Sequence, residues 1–325
     1  MNAEWVRDDL RKRLEGRVEI DWPLAGLTTY RLGGPARIYV EPASADDLVA
    51  LAETIRSFDE KPPLLVLGRG SNLVISDGGW PGIVVRLGSA FSWLRPVEDA
   101  PLRGKAPRLH AGSGTTMPLL ANWAARRGLT GLEFAIAIPG SVGGAVRMNA
   151  GAHGTETGDS LHVATVFDTE TLEVETRPNA DLGFSYRRSN LDERHVVLDA
   201  LWALEASEPS LVRERMDGYR RHRAATQPGA VQNAGSVFKN PPGDSAGRLV
   251  EAAGLKGLRV GGASVSTLHA NFFIAEEGST AQDVFDLVHA VRRKVLEVSG
   301  VELEPEIRFV GEYGAADHES VEVGT

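Results

Sequence analysis

The stretch Ile138–Gly154, IPGSVGGAVRMNAGAHG, constrains this chain more than any other part of it. It holds Gly140, Gly143, Gly144, Gly151 and Gly154, with Pro139 near its start and Asn149 in its middle. Each glycine loses extra backbone entropy on folding, so this density inside one segment needs a reason. Close approach is the usual one: a backbone without Cβ atoms can lie flat against a ligand and turn its N–H groups towards it. The competing reading is a long loop that only turns, and the surrounding chain decides between the two.

At 325 residues the chain has room for two or three domains of roughly 150 residues each. With 42% hydrophobic and 24% charged residues it has the composition of an ordinary soluble globular protein. The absence of cysteine excludes disulfides, thiolate metal sites, a cysteine nucleophile and a cysteine-linked flavin. A net charge of −9 argues against a general nucleic-acid binder, so an anionic small substrate needs a local basic pocket. Met1–Arg17 is charged throughout, unlike a signal peptide, and no apolar run is long enough for a membrane span. We expect a cytoplasmic protein without a metal ion, with small-molecule rather than nucleic-acid, membrane or obligate protein partners.

Apolar spacing predicts a helix over 4–16, a strand over 37–40, and a helix capped by Ser44 with Asp47 three residues on. The run 64–67 reads as a buried strand that opens into Gly68-Arg69-Gly70-Ser71-Asn72, followed by strand-like 73–75 and a strand over 83–87. This is β-α-β with a glycine turn at a strand end, a place where successive N–H groups can form an anion-binding concavity. The turn is neither a P-loop nor the dinucleotide fingerprint. After a polar excursion within 88–111 ending in strand 108–111, a helix over 116–127 stops at Gly128. Strands follow at 162–167, 173–176 and 196–203, with the polar, aromatic and basic segment 184–190 between the last two.

From Ser207 the texture changes, and a domain boundary is expected near 205–210. A basic helix over 211–223 ends Arg220-Arg221-His222-Arg223, then comes Gly235-Ser236-Val237-Phe238-Lys239-Asn240-Pro241. Further expectations are a helix from Asp244 to Ala253, a strand over 271–275, and a long helix opened by a Ser279/Gln282 capping box. A final strand over 303–310 carries Glu304 and Glu306, and 313–325 reads as a frayed polar tail.

Five segments, GRGSN, IPGSVGGAVRMNAG, SYRRSN, GSVFKNP and LEPEIRF, stand in one order from about residue 20 to 310 and together closely resemble the UDP-N-acetylenolpyruvoylglucosamine reductase family. The resemblance implies an α+β fold: a two-lobed FAD-binding module of the vanillyl-alcohol-oxidase (PCMH) type plus a C-terminal α+β substrate domain. It divides the chain into lobe 1 over 1–87, lobe 2 over 88–207, a substrate domain over 208–310 and a tail over 311–325. It implies non-covalent FAD, NADPH as hydride source and UDP-N-acetylglucosamine enolpyruvate as substrate, reduced to UDP-N-acetylmuramate for peptidoglycan.

By position, the resemblance assigns FAD contacts to Gly68, Arg69, Gly70, Ser71 and Asn72, and to Pro139, Gly140, Ser141, Gly143, Gly144, Asn149 and Gly151. Thr29, Arg31, Gly33 and Gly34 fall on a further FAD-contacting segment. Arg187, Ser236 and Glu306 fall on the catalytic positions, and Lys239 and Asn240 on substrate contacts. Arg187 and Ser236 are 49 residues apart, which marks the shorter form, without the insert whose tyrosine closes over the nucleotide in longer members.

The residue types suit the chemistry. Hydride delivered to an enol ether conjugated to a carboxylate leaves negative charge that needs a cation or proton nearby, and a positioned acid. Arg187 supplies a planar donor fork, Glu306 a carboxyl that burial can keep protonated, and Ser236 the proton. A flavin oxidase of the same fold and a catalytically silent nucleotide-binding relative are the rival readings. The catalytic trio favours the reductase over both.

Overall fold

The computed structural model describes residues 2–97, 108–229 and 231–316. Part of the polar excursion, 98–107, and the tail from 317 onward lie outside the described residues. The helices among the described residues are α1 (Ala3–Arg13), α2 (Ala45–Arg56), α3 (Met117–Arg126), α4 (Val142–Met148), α5 (Thr157–Ser160), α6 (Pro209–Thr226), α7 (Ala246–Ala252) and α8 (Ala281–Ser299). The chain forms two compact units, one of residues 1–20, 37–69 and 82–223, the other of 21–36, 70–81 and 224–325.

In the first unit a four-stranded sheet runs in the order Arg17–Pro23, Pro35–Glu41, Trp80–Arg86, Leu64–Leu67. Leu64–Leu67 pairs in parallel with Ile83–Arg86, as the β-α-β pattern requires. Ser44 caps α2 by accepting the Asp47 N–H at 3.2 Å. Val6 and Leu10 of α1 and Leu48, Leu51 and Ile55 of α2 are buried with Ile38, Ile83 and Val85 in one apolar core. A second sheet is antiparallel, in the order Val174–Pro178, Leu161–Asp168, His195–Ala203, Arg108–Gly112, Leu94–Val97. Its core takes Leu120 and Ala124 from α3, Ala145 and Val146 from α4, and Val212 and Met216 from α6.

The basic helix α6 therefore belongs to the first unit, and the break falls at 223/224 rather than near 207. Its arginines serve the fold: Arg215 donates to Glu133 at 3.0 Å, Arg220 to Asp217 at 2.7 Å, and Arg223 to the Ala137 carbonyl at 2.5 Å. Expected lobe 1 is also interrupted, because 21–36 and 70–81 join the second unit.

That unit holds a three-stranded antiparallel sheet, Arg259–Val260, Ala263–Val265, Phe273–Ala275, and α8 buries Val284, Leu287, Val288, Val291 and Val295. Leu73–Ile75 pairs in parallel with Arg308–Val310. Of the expected 303–310 strand, Arg308–Val310 forms this pair, while 304–306 pairs separately with 237–239 through a bridge of Pro305 with Phe238. Asn271 drops out of its expected strand, its side chain bonding both main-chain groups of Phe238. Ser245, not Asp244, caps α7, while Asp244 pairs with Arg248. The capping box of α8 is Thr280/Asp283, one residue past the expected pair; Ser279 instead donates to the Gly262 carbonyl at 2.8 Å. Tyr313 is not frayed: its ring stacks on Phe285 at 4.7 Å and its hydroxyl donates to the Val74 carbonyl at 2.8 Å.

Asp77 ties the 70–81 segment to α8, its carboxylate accepting the Ala281 and Gln282 N–H groups at 2.9 and 3.1 Å. Asp77→Ala removes both acceptors and a negative charge at the helix start, and should cost about 1–2 kcal/mol. The measurement is the urea midpoint, expected to fall at unchanged slope. An unchanged midpoint refutes the assignment.

Candidate active site

Two glycine segments meet in the first unit. A Cβ built on Gly68, at the end of strand Leu64–Leu67, would lie 2.5 Å from Ser141 Oγ. The stretch from Ile138 is not one loop, however: Val142–Met148 is helix, because Val142, Ala145 and Val146 bury their side chains and that burial outweighs the glycine entropy. Ser141 caps this helix through a 3.4 Å contact to the Gly144 N–H.

The Val142 and Gly143 amides donate to the carbonyls of Thr115 and Ser113 at 2.8 and 2.9 Å. They serve the protein's own backbone, not an open face, which corrects the expectation for Gly143. A Cβ there would come within 3.0 Å of Ser113 Cβ, whereas one on exposed Gly144 would meet only Ser141 Oγ, at 3.5 Å. The Gly140 carbonyl accepts from Met117 N–H at 3.0 Å, and Pro139 is exposed. Ser113 Oγ is buried without a hydrogen-bond partner among the described residues.

Asn149 ends α4 in the left-handed region, φ 43°. Its Oδ1 accepts Gly158 N–H at 2.9 Å, and its Nδ2 donates to Glu156 Oε2 at 2.7 Å and the Ser185 carbonyl at 3.0 Å. Both ends of this expected cofactor contact are thus engaged with the protein. Gly151 pairs with Glu156 across the short hairpin Gly151–Ala152/Thr155–Glu156, and its carbonyl accepts from Arg187 Nη2 at 3.0 Å. Arg187 Nη1 meets Glu156 Oε1 at 3.2 Å, and the guanidinium lies 4.8 Å from the Tyr186 ring centroid. At the hairpin tip His153 stacks on Tyr219 at 4.1 Å. Desolvation, then the neighbouring His222 and Arg223, lowers its pKa from the ordinary imidazole value, so it is neutral at pH 7.

In the second unit Gly70 has φ 59°, and a Cβ there would lie 2.3 Å from the Leu27 carbonyl oxygen, so only glycine fits. The Gly70 carbonyl accepts from Thr29 N–H at 3.2 Å, and Thr29 Oγ1 is buried without a partner among the described residues. Gly33 and Gly34 lie against Ile75 and Asp77, so their lack of Cβ serves packing within the protein. Arg31 and Arg69 are exposed and Ser71 is half-buried.

Ser236 forms a backbone bridge with Phe272, and Val237 N–H donates to the Asn271 carbonyl at 2.9 Å. The chain 237–239 pairs with 304–306: Glu306 N–H donates to the Val237 carbonyl at 2.7 Å, and Lys239 N–H to the Glu304 carbonyl at 2.9 Å. Asn72 Nδ2 donates to the Glu306 carbonyl at 3.0 Å. Three distant motifs thereby meet around Ser236 and Glu306, both half-buried. Lys239 Nζ pairs with Glu304 at 2.5 Å, and Asn240 Oδ1 accepts Ala246 N–H at the start of α7 at 3.0 Å. The residues that sequence reasoning missed are Ser113 and Glu156; the only sequence signal for Glu156 was Asp159 three places on, whose carboxylate accepts its N–H at 2.7 Å.

Residues 36–175 match the model of an FAD binding domain, and with the relatives below this makes the chain a flavin-dependent oxidoreductase. Residues 227–310 match the C-terminal domain model of UDP-N-acetylenolpyruvoylglucosamine reductase. The chain is 44% identical over 309 residues to that reductase from Rubrobacter xylanophilus, covering 94% of this chain and all of the relative. It is 39% identical to the Bacillus subtilis reductase over 311 residues, 95% of this chain and 99% of the relative. The crystal structure of the Thermus caldophilus reductase superposes with a TM-score of 0.75 at 38% identity, over 90% of this chain and 99% of that one. The chain belongs to the UDP-N-acetylenolpyruvoylglucosamine reductase family, and its fold is α+β, with an FAD-binding module and a C-terminal domain.

The residues present fit FAD. Segments 68–72 and 138–144 contain no carboxylate, as a pyrophosphate requires, and Ser113 and Thr29 beside them keep buried hydroxyls that no described residue satisfies. Gly144→Val, at the exposed position, should give a folded protein depleted of FAD, read from flavin absorbance after purification. Gly143→Val should instead lower stability by about 1–3 kcal/mol through overpacking against Ser113. Full flavin content in Gly144→Val overturns the assignment of this turn to the cofactor.

Proposed function

We propose that the chain reduces UDP-N-acetylglucosamine enolpyruvate to UDP-N-acetylmuramate in the cytoplasm, a step of peptidoglycan synthesis, with NADPH as the reductant. The observation that carries this reading is the pairing of 237–239 with 304–306, held by Asn72, which brings the chain segments of Ser236 and Glu306 onto one main-chain frame. Family membership supports the reaction class.

Gly68 to Asn72, Gly140, Ser141, Gly144 and Thr29 would hold the FAD. FAD held there would supply, in its reduced form, the hydride that the enolpyruvyl double bond takes up. Negative charge then develops toward the substrate carboxylate, and the chain's residues act on it. Arg187 offers a permanently charged planar fork for that carboxylate. Glu306, when protonated, donates a hydrogen bond to the developing enolate. Ser236 delivers the proton to the adjacent carbon. Lys239 and Asn240 hold the diphosphate; the exposed Glu304 contact costs little for Lys239 to exchange.

Proton delivery plays no part when NADPH reduces the flavin, which isolates Ser236. Ser236→Ala should bind FAD and bleach with NADPH at the parent rate, while reoxidation by the enolpyruvyl nucleotide slows about 10²–10⁴-fold. Stopped-flow absorbance separates the two half-reactions. Equal slowing of both makes Ser236 a flavin-positioning group, and no slowing of either removes it from the chemistry.

A further inference from the structure

We infer that Glu156 is the positioning residue for Arg187, and that Asn149 in turn orients Glu156. The inference rests on the reading of Arg187 as the group that meets the substrate carboxylate.

Glu156 divides its two carboxylate oxygens between two donors, Oε1 to Arg187 Nη1 at 3.2 Å and Oε2 to Asn149 Nδ2 at 2.7 Å. The amide orientation of Asn149 is fixed by its other end, because Oδ1 accepts Gly158 N–H at 2.9 Å. Both neighbours of Glu156 are therefore donors, and only an acceptor-only group with two oxygens satisfies them together. A glutamine would turn its NH2 against one of the two.

The main chain of Glu156 is also fixed. Its N–H donates to Asp159 Oδ2 at 2.7 Å, and it pairs across the hairpin with Gly151. Gly151 is the residue whose carbonyl takes Arg187 Nη2 at 3.0 Å. Two cross-strand neighbours thus grip the two terminal nitrogens of one guanidinium.

Arg187 has need of such a grip. Its φ is 56°, a left-handed conformation that non-glycine residues rarely adopt. It sits in a tight turn closed by Ser185 and Arg188, and its long side chain has many rotamers to lose. The pair is mostly shielded, with side-chain exposures of 17% for Arg187 and 30% for Glu156, so water does not loosen it as it does a surface pair. A guanidinium displaced by 1 Å costs on the order of 100-fold in rate, the scale of effect expected here.

The experiment compares Glu156→Gln, Glu156→Asp, Arg187→Ala and the double variant Glu156→Gln/Arg187→Ala by stopped-flow absorbance. Glu156→Gln should keep FAD content, thermal midpoint and NADPH bleaching at parent levels, and slow reoxidation by the enolpyruvyl nucleotide about 10–100-fold. Glu156→Asp, which keeps the charge, should recover part of that loss. In the Arg187→Ala background the glutamine substitution should change reoxidation less than about twofold, because its route of action is gone. Additive losses, or parent-rate reoxidation in Glu156→Gln beside a slow Arg187→Ala, overturn the inference. Loss of flavin or of thermal stability in both Glu156→Gln and Asn149→Gly makes Glu156 a structural residue and overturns it as well. Parent-rate reoxidation in Arg187→Ala is a different result: it removes Arg187 from the chemistry, and the positioning role with it.

Discussion

The Val237 carbonyl receives two amides, those of Glu306 at 2.7 Å and Ile307 at 3.4 Å. Around this one acceptor the site of the second unit takes shape. Val237 and Phe238 are buried, so the pairing is held in an apolar setting where an unpaired main-chain group is costly. Asn271 clamps both main-chain groups of Phe238, and Asn72 reaches the Glu306 carbonyl from the far side. This main-chain frame carries both Ser236 and Glu306.

Local order was legible in the sequence where short-range chemistry decides it. The Ser44 cap, the strand Leu64–Leu67 and the apolar stripe of α8 follow from capping and periodicity. Helix α4 was not legible, because a helix through Gly143 and Gly144 contradicts propensity and is sustained by a core made from distant strands. The break between the units was misplaced for a similar reason: the charged texture of α6 hid Val212 and Met216, which commit it to the first unit.

The candidate site divides in the same way. The glycine segments stood out, yet several of their residues owe their lack of Cβ to the protein's own backbone: Gly70 against Leu27, Gly33 and Gly34 against Ile75 and Asp77. Asn149 drew attention as a ligand contact, and its amide bonds Glu156, the Ser185 carbonyl and the Gly158 N–H. Glycine density therefore marks where backbone crowds, and a ligand is only one of the things it can crowd against. Glu156 left no mark because its value comes from partners seven residues before it and thirty-one after it.

The parallel pairing of Leu73–Ile75 with Arg308–Val310 also has a consequence for how the chain matures. A segment made in the first quarter of synthesis must wait for one made near the end, and the Asp77 clamp on α8 waits nearly as long. Leu73–Ile75 leaves the ribosome with its sheet edge unpartnered, while the first unit, whose residues end at 223, can already close. Long-range closure of this kind slows folding and prolongs exposure of an open strand edge. The second unit is thus the later of the two to assemble, and cutting the gene at 223/224 would separate Leu73–Ile75 from the only strand it pairs with among the described residues.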